Sequence, residues 1–554
     1  MGSYSERAER TPEYLGDLEE RMEPDREENR KSQDSHSRKE THTRRDVLKA
    51  LSSLPVLGAF VYGVAKKRSW EAEKRNLLLK ELGLEEEVFS GQRMAPSEKP
   101  GDLIRLGIIG HGGRGEHLVR AAGFAHPDFF QIRGDKENRI WRERAINGFL
   151  EQEDLNVLLT GVCDVFDVRA ERGLAAALND RRPGGGSGNL KGAKRFQNYR
   201  EMLESKDIDA VIIATPDHWH AQMAIDAVSA GKHVYLEKCM TRTEEEVYAL
   251  TDAVKRSGMV FQLGHQNPQQ ETFWRAKQIV DKNILGKITL VETTTNRNSP
   301  NGAWVYSIHK DASPQTIDWE QFQGPAPHKV PFNLERFFRW RCWYDYGTGL
   351  SGDLFSHEFD AVNQILGMGI PKTVVSSGGI YFFKDGRDVP DIFQAVCEYP
   401  DRDLTLVYSA TLANSRGRGR IFMGHDASMV VGSSLTVDAD TDSTRFEDKI
   451  KEGMIDTSLP LISYRPGSKG IDTITSATEK YFATKGLMYT YTGGKHVDIT
   501  HLHVKEWIDC IRTGERPSCD IDRGFEEAIT CHMATRSYRE GRRVEWDPIQ
   551  KRIV

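Results

Sequence analysis

The stretch Asp102-Leu103-Ile104-Arg105-Leu106-Gly107-Ile108-Ile109-Gly110-His111-Gly112-Gly113-Arg114-Gly115 decides how the chain folds. Its first half is a short apolar run, the pattern of a strand buried in a parallel sheet, and glycines follow without a gap. Gly110, Gly112 and Gly115 are spaced as G-x-G-x-x-G, in which missing side chains permit a tight turn, approach of a pyrophosphate and close packing of the next helix. Backbone N–H groups at that helix N-terminus face the phosphates. The whole turn, with His111, Gly113 and Arg114, is therefore a candidate dinucleotide contact. A glycine-rich turn without a ligand has the same look, so the residues around it have to decide.

A second apolar run, Leu155 to Cys163, ends at Asp164, the residue type that accepts hydrogen bonds from an adenosine ribose and disfavours a 2'-phosphate. NAD is expected over NADP. Asp164 lies 49 residues beyond Gly115 (164 minus 115) where about 20 is usual, so the charged stretch from 123 to 154 is an insertion, with His126-Pro127 breaking the first helix. Arg182 to Gly188 reads as a flexible loop. Two further strands follow in alternation with helices, Asp209 to Pro216 and Lys232 to Lys238, which predicts a parallel sheet with right-handed crossovers. Ligands of such sheets lie beyond the carboxyl ends of the strands. Thr215, Pro216, Trp219, His220, Glu237 and Lys238 emerge there and are candidate contacts to the nicotinamide half, Trp219 as a pocket wall. Gln266 or Asn267, after the strand Met259 to Gly264, is placed at the nicotinamide ribose or amide. His218 and His220 lack a matching Cys or carboxylate cluster, so no metal site is expected.

At 554 residues the chain is long enough for two domains plus extensions. A formal charge of −6, with both signs interspersed, gives no basic field for nucleic acid. Seven cysteines without a C-x-x-C pair indicate neither a disulfide framework nor zinc, and most are expected to be buried thiols. Residues 1–42 are charged and poor in large apolar side chains, a disordered leader by composition. Residues 43–65 combine Thr43-Arg44-Arg45-Asp46-Val47-Leu48-Lys49 with the apolar stretch Ala50 to Ala65, and resemble a twin-arginine export signal or anchor. That stretch falls short of the ~20 apolar residues that span a bilayer comfortably. Residues 66–102 read as a linker.

The glycine turn, Ala214-Thr215-Pro216 with Trp219-His220, Ala230-Gly231-Lys232-His233-Val234 leading to Glu237-Lys238, and Gly352-Asp353 with His357 together resemble the Gfo/Idh/MocA oxidoreductases. The likeness spans about residues 103 to 548, and Trp340 to Gly349 and Cys531 to Pro548 resemble its exported branch. It implies an α/β fold: an N-terminal Rossmann, doubly wound parallel sheet (103–267), then an α+β domain with an open, mainly antiparallel sheet (268–500) and C-terminal helices and tail (501–554). Cys239 stands where most members have proline after the lysine, which removes a rigid residue beside Lys238.

Oxidising a secondary alcohol requires a group to take the hydroxyl proton while the nicotinamide takes hydride. Asp353, His357, Asp360 and Gln364 fall on one face of a helix expected to run to Leu366 and stop at Gly367. His357 is assigned as general base or acid, Asp353 as its orienting partner, and Lys238 as the cation that stabilises alkoxide character, a triad similar to that of inositol dehydrogenases. Strands are expected at Lys287–Thr295, Thr373–Phe383, Ile392–Tyr399, Leu404–Leu412 and Arg420–Met423. The aromatic stretch 296–346 offers Trp304, Arg341, Trp343 and Tyr344 as substrate contacts, since sugars are bound by aromatic faces with polar groups. Residues 433–498 read as an insertion over the sheet.

The expected function is NAD(P)-dependent oxidation or reduction of a sugar, polyol or glycoside, with tightly held NAD because free dinucleotide is scarce outside the cytoplasm. The expected setting is the periplasm or outer face of the cytoplasmic membrane, the partners the twin-arginine machinery and further copies of the chain. Two alternatives stay open: a glycoside hydrolase that oxidises transiently, and a non-catalytic dinucleotide-binding envelope protein.

Overall fold

A computed structural model describes residues 66–67, 69–70, 73–74, 77–82, 101–132, 136–183, 192–466, 489–492 and 495–554. The chain divides into two compact units, Met1–Leu77 and Leu78–Val554. In the first, residues 66–67, 69–70 and 73–74 are helical, and the leader and export-signal resemblance within 1–65 lie outside the described residues. Among the described residues no helix is long and apolar enough to cross a membrane.

The second unit opens with a six-stranded sheet in the order β3-β2-β1-β4-β5-β6, parallel throughout. Its strands are β1 (Ile104–Ile109), β2 (Val157–Cys163), β3 (Lys194–Phe196), β4 (Ala210–Ile213), β5 (His233–Glu237) and β6 (Phe261–Gly264). Val211, Ile213, Val234, Leu236 and Leu263 face one core and Leu106, Ile108, Ile212 and Tyr235 the other, so both faces are covered, as a parallel sheet requires. The strand order reverses between β1 and β4, which opens a crevice at their carboxyl ends. The long separation between the glycine turn and Asp164 is filled by a short 3-10 turn, Pro127–Phe130, and a helix, Lys136–Glu151.

The second sheet has ten strands in the order β14-β13-β12-β11-β7-β10-β9-β8-β17-β18. They are β7 (Ile288–Asn296), β8 (Thr373–Gly379), β9 (Ile392–Tyr399), β10 (Leu404–Thr411), β11 (Arg420–Gly424), β12 (Ala427–Val431), β13 (Leu435–Ala439), β14 (Ile462–Tyr464), β17 (Val544–Asp547) and β18 (Arg552–Ile553). Only β7 and β10 pair in parallel, so the sheet is mainly antiparallel as the resemblance implied. Residues 433–498 are not simply an insertion over this sheet. Leu435, Val437 and Ile462 bury their side chains, and β13 and β14 extend the sheet edge. A separate hairpin follows, β15 (Tyr489–Thr492) with β16 (Lys495–Asp498), while 467–488 lies outside the described residues.

Two helices close the chain onto the first sheet. In Ile499–Thr513 the residues Val504, Trp507 and Ile508 pack with Leu106, Ile108 and Ile212, and Trp507 meets the Tyr235 ring edge-on at 5.7 Å. Ile521–Glu540 passes between the sheets, with Ser537 Oγ accepting the Ser376 N–H at 2.9 Å and His532 Nε2 meeting Thr241 Oγ1 at 2.9 Å. Gly514 and Gly541 end these helices in the left-handed conformation, where glycine carries no Cβ penalty. All seven cysteines are free and buried.

Candidate active site

The glycine turn is shaped by contacts that forbid side chains at two places and leave two open. A Cβ on Gly115 would lie 2.0 Å from the Gly110 carbonyl oxygen, and Gly110 itself has φ +86° with Ala214 O 2.7 Å from where its Cβ would be. At Gly113 nothing lies within 4 Å, and at Gly112 only the Arg169 guanidinium approaches, at 3.6 Å. The helix Gly113–Ala121 starts there without a side-chain cap, so its first N–H groups have no acceptor supplied by a capping side chain. This open cradle fits a pyrophosphate. Asp164 sits beside it, buried, its two oxygens accepting the His111 N–H at 2.7 Å and the Phe166 N–H at 2.8 Å.

Several expected cofactor contacts turn out to brace the pocket with their side chains. The His111 ring is buried against the Arg169 carbonyl at 3.1 Å. Arg114 turns inward, Nε donating to Glu237 Oε1 at 2.7 Å, and Gln266 Nε2 donates to the Tyr235 hydroxyl at 2.7 Å and Glu237 at 3.3 Å. A buried carboxylate at Glu237 and the Arg169 carbonyl thus claim the side chains of Arg114 and His111. His220 clips two loops together, its ring nitrogens 2.8 Å from Thr215 O and 2.6 Å from Cys239 O, and Thr215 Oγ1 faces Met223 Sδ at 3.7 Å. Pro216 precedes the 3-10 turn Asp217–Trp219.

Trp219, expected as a wall of the nicotinamide pocket, is buried against a segment of the second domain. Its indole N–H donates to Phe322 O at 3.0 Å, and its ring lies where a side chain on Gly324 would have to go. It anchors a strap, residues 309–338, that the aromatic stretch forms over the edge of the first domain. The Asp318 N–H donates to Val165 O at 2.8 Å and the Asp167 N–H to Thr316 O at 2.9 Å. His218 Nε2 lies 2.8 Å from Phe322 O, and burial pushes its pKa down to about 3. Phe337 and Phe338 cover the Arg169 guanidinium at 5.2 and 5.4 Å from their ring centres. Burial lowers the Arg169 pKa against the opposing pull of Asp164. Arg169, five residues past Asp164 on the next helix, went unnoticed in the sequence.

Lys238 follows β5 and reaches across to the second domain. Its Nζ donates to the Asp353 carbonyl at 2.8 Å and to Oδ1 at 2.5 Å, while Arg341 Nε donates to the same Oδ1 at 2.9 Å. Burial alone would raise the Asp353 carboxyl, but Lys238 and Arg341 outweigh it and hold it far below the carboxylate range. The missing proline beside Lys238 is replaced by other ties. Across a cis peptide, the Cys239 thiol donates to Asp217 Oδ2 at 3.0 Å and meets Thr348 Oγ1 at 2.7 Å.

Asp353 therefore does not orient His357. It lies in a π-helical turn, Ser351–Phe355, ahead of the α-helix Ser356–Leu366 that ends at Gly367, and the wider turn displaces it from simple i, i+4 spacing. The partner of His357 is His265, with Nδ1 to Nδ1 at 3.1 Å and rings nearly perpendicular. His265 directly follows β6 and was passed over for its neighbour Gln266. Asp360 and Gln364 bond each other at 3.3 Å, and Asp360 also meets Arg523.

The proposed substrate contacts also move. Trp304 is 0% exposed and belongs to the core. Arg341 holds Asp353, because a buried carboxylate draws a guanidinium more strongly than an open pocket does. Trp343 is buried under Arg336 at 5.1 Å, and Tyr344, half-buried, lies under Arg539 at 5.1 Å. Among the described residues no group of three His, Cys, Asp or Glu side chains could hold a metal ion.

A glycine cradle, a buried carboxylate beside it, and a half-buried lysine and histidine are the groups that a dinucleotide-dependent redox site requires. The family model described as "Oxidoreductase family, NAD-binding Rossmann fold" matches residues 104–265, and its "C-terminal alpha/beta domain" matches 277–546, so the chain belongs to the Gfo/Idh/MocA oxidoreductase family and its first domain is an NAD-binding one. It is 29% identical over 203 residues to levoglucosan dehydrogenase of Pseudarthrobacter phenanthrenivorans, 34% of this chain and 44% of that protein. It is 32% identical over 160 residues to "Glycosyl hydrolase family 109 protein 1" of Shewanella sp. (strain MR-4), 28% of this chain and 27% of that protein. The matches thus span less than half the length of these curated relatives. A solved levoglucosan dehydrogenase in complex with NADH shares the fold, with TM-score 0.53 and 17% identity over 80% of this chain and 99% of that one.

Gly115→Ala should abolish dinucleotide binding or destabilise the fold, because backbone rather than a movable side chain blocks the new Cβ; calorimetric titration with NAD and thermal unfolding check this. Asp353→Asn should cost at most the roughly 3–5 kcal/mol of a fully buried pair, since it leaves two half-buried cations without their anion; denaturant unfolding measures it. The Asp353 carboxyl is depressed in the fold, so its contribution is full above the ordinary carboxylate pKa and is lost as pH falls towards its folded value. Wild-type stability should therefore fall on acidification more steeply than that of Asp353→Asn.

Proposed function

We propose that this protein oxidises or reduces a secondary hydroxyl of a sugar, polyol or glycoside by hydride transfer with bound NAD. The observation that carries this reading is that Lys238, just after β5, bonds Asp353 one turn ahead of His357, close enough for the lysine's charge to act on the imidazole. When bound, NAD supplies the hydride acceptor or donor at the substrate carbon. Lys238 offers N–H donors and positive charge to an oxygen gaining alkoxide character. His357 handles the proton: burial, then Lys238 and His265, push its pKa well below the ordinary histidine value, so at neutral pH the ring is neutral and able to accept. Asp353 and Arg341 position the lysine.

The names of the relatives support carbohydrate as the substrate class. The glycoside hydrolase likeness supports a second reading, in which oxidation is transient and sugar release leaves no net change in nicotinamide absorbance. The strap over Arg169 supports tight retention of NAD, which export through the twin-arginine route to the periplasm would require. A homo-oligomer is part of this proposal, and a half-exposed apolar row, Val375, Val396 and Val407, in register across β8, β9 and β10, supports it.

Purified protein should carry close to one dinucleotide per chain, identified by mass spectrometry, and a screen of sugars, polyols and glycosides should change its nicotinamide absorbance. Protein that neither carries nor takes up NAD contradicts the proposal. His357→Ala should lower turnover by about 10²–10⁴ with NAD still bound. Arg169→Ala should speed NAD loss at least about tenfold, because a cation beside the pyrophosphate is removed, as measured by exchange against labelled NAD.

A further inference from the structure

The proton that His357 accepts has to go somewhere, since the charge of Lys238 opposes an imidazolium there and the ring's Nδ1 is turned towards another imidazole. Behind His357 lies His265, and behind His265 lies Glu527, its Oε2 3.7 Å from His265 Nε2. Both side chains are 1% exposed, and neither of these two atoms has a hydrogen-bond partner. The other Glu527 oxygen accepts the Cys531 thiol at 3.3 Å. A buried carboxylate oxygen without a donor is costly. A buried imidazole N–H aimed at it offsets that cost. The three groups come from three elements: the helix Ser356–Leu366, the residue after β6, and the helix Ile521–Glu540.

We propose that His265, backed by Glu527, is the proton store of this site and the positioning partner of His357, an inference that rests on the hydride-transfer reading above. In the empty state His265 carries its proton on Nε2, facing Glu527, and its Nδ1 accepts the Nδ1–H of His357, which leaves His357 Nε2 free as base. The substrate O–H breaks as an N–H forms on His357 Nε2. The Nδ1–H bond of His357 breaks as one forms on His265 Nδ1. One proton has moved, His357 is neutral again, and the positive charge rests on His265 beside Glu527. Reduction runs the same path backwards. The electrostatics agree in direction. Burial lowers the His265 pKa, but Asp360 and Glu527 outweigh it and the net shift is upward. The other groups facing the pair are Lys238 after β5, Arg114 on the helix Gly113–Ala121 and His503 on the helix Ile499–Thr513, which oppose further charge, and Asp353, which favours it on His357.

The test uses the full-length protein and two variants, Glu527→Gln and His265→Gln. Histidine ring titration by NMR on selectively labelled, dinucleotide-free protein should show one ring titrating above the ordinary histidine value. That resonance should vanish in His265→Gln and move to lower pH in Glu527→Gln. With NAD bound and an alcohol substrate from the screen, the acid limb of the kcat profile should follow the same ionisation. It should shift to lower pH in Glu527→Gln and disappear in His265→Gln. In His265→Gln kcat should fall at least about tenfold, with the KM for substrate little changed. A wild-type acid limb retained in both variants overturns the store, as does a His265 titration unmoved by Glu527→Gln. Absence of hydride transfer in the wild type while the NMR coupling is present instead overturns the functional reading, so the two failures are distinct.

Discussion

The site depends on one buried carboxylate. Asp353 holds Lys238 from the first domain and Arg341 from the second, within one turn of the helix that carries His357. Two cations around one anion leave a surplus of positive charge, which a buried site tolerates only with close hydrogen bonds. That surplus favours negative charge developing on an oxygen brought beside Lys238. The same contact ties the domains together at the point where a nicotinamide and a substrate would meet.

A second set of ties gives this arrangement its rigidity. Asp217 accepts from the Cys239 thiol and from the N–H and hydroxyl of Thr348, linking the loops after β4 and β5 to the segment that leads into the π-helical turn. His220 joins Thr215 to Cys239, and Arg114, Glu237 and Gln266 form a buried network beneath. Residues that look like ligand contacts by position are thus used to hold the backbone that makes the contact. A polar group placed at a sheet's edge and then buried must find a partner, and the protein supplies it.

The strap follows from the same economy of buried surface. Residues 309–338 contain too many aromatic side chains to remain exposed, and the available apolar surface is the edge beyond β2, with Phe166 at its centre. Packing there brings Phe337 and Phe338 over Arg169 and sets main-chain hydrogen bonds from Asp318 and Asp167. An element that reads as a sugar platform in the sequence packs instead over Arg169 and the loop after β2.

Local pattern carried the first sheet almost completely. Apolar runs bounded by glycine and alternating with helices leave few ways to bury both faces of a strand, so β1, β2, β4, β5 and β6 were legible, and with them the glycine turn and Asp164. Lys238 and His357 were legible as candidates because their residue types suit alcohol oxidation and their positions follow a strand or begin a helix. The extension of the second sheet by β13 and β14 was not, since strands of five and three residues in a stretch rich in Thr, Asp, Lys and Gly read as loop. Nor could the sequence pair His357 with His265 rather than Asp353, place Trp304 in the core, or turn Arg114 away from the cradle. Those outcomes depend on which side chains from distant segments meet in space. The energy of a buried ionic or hydrogen-bonded contact depends on that geometry and on desolvation. The sequence by itself determined the sheet, the nucleotide turn and the chemical inventory of the site; the tertiary structure alone decided the partners.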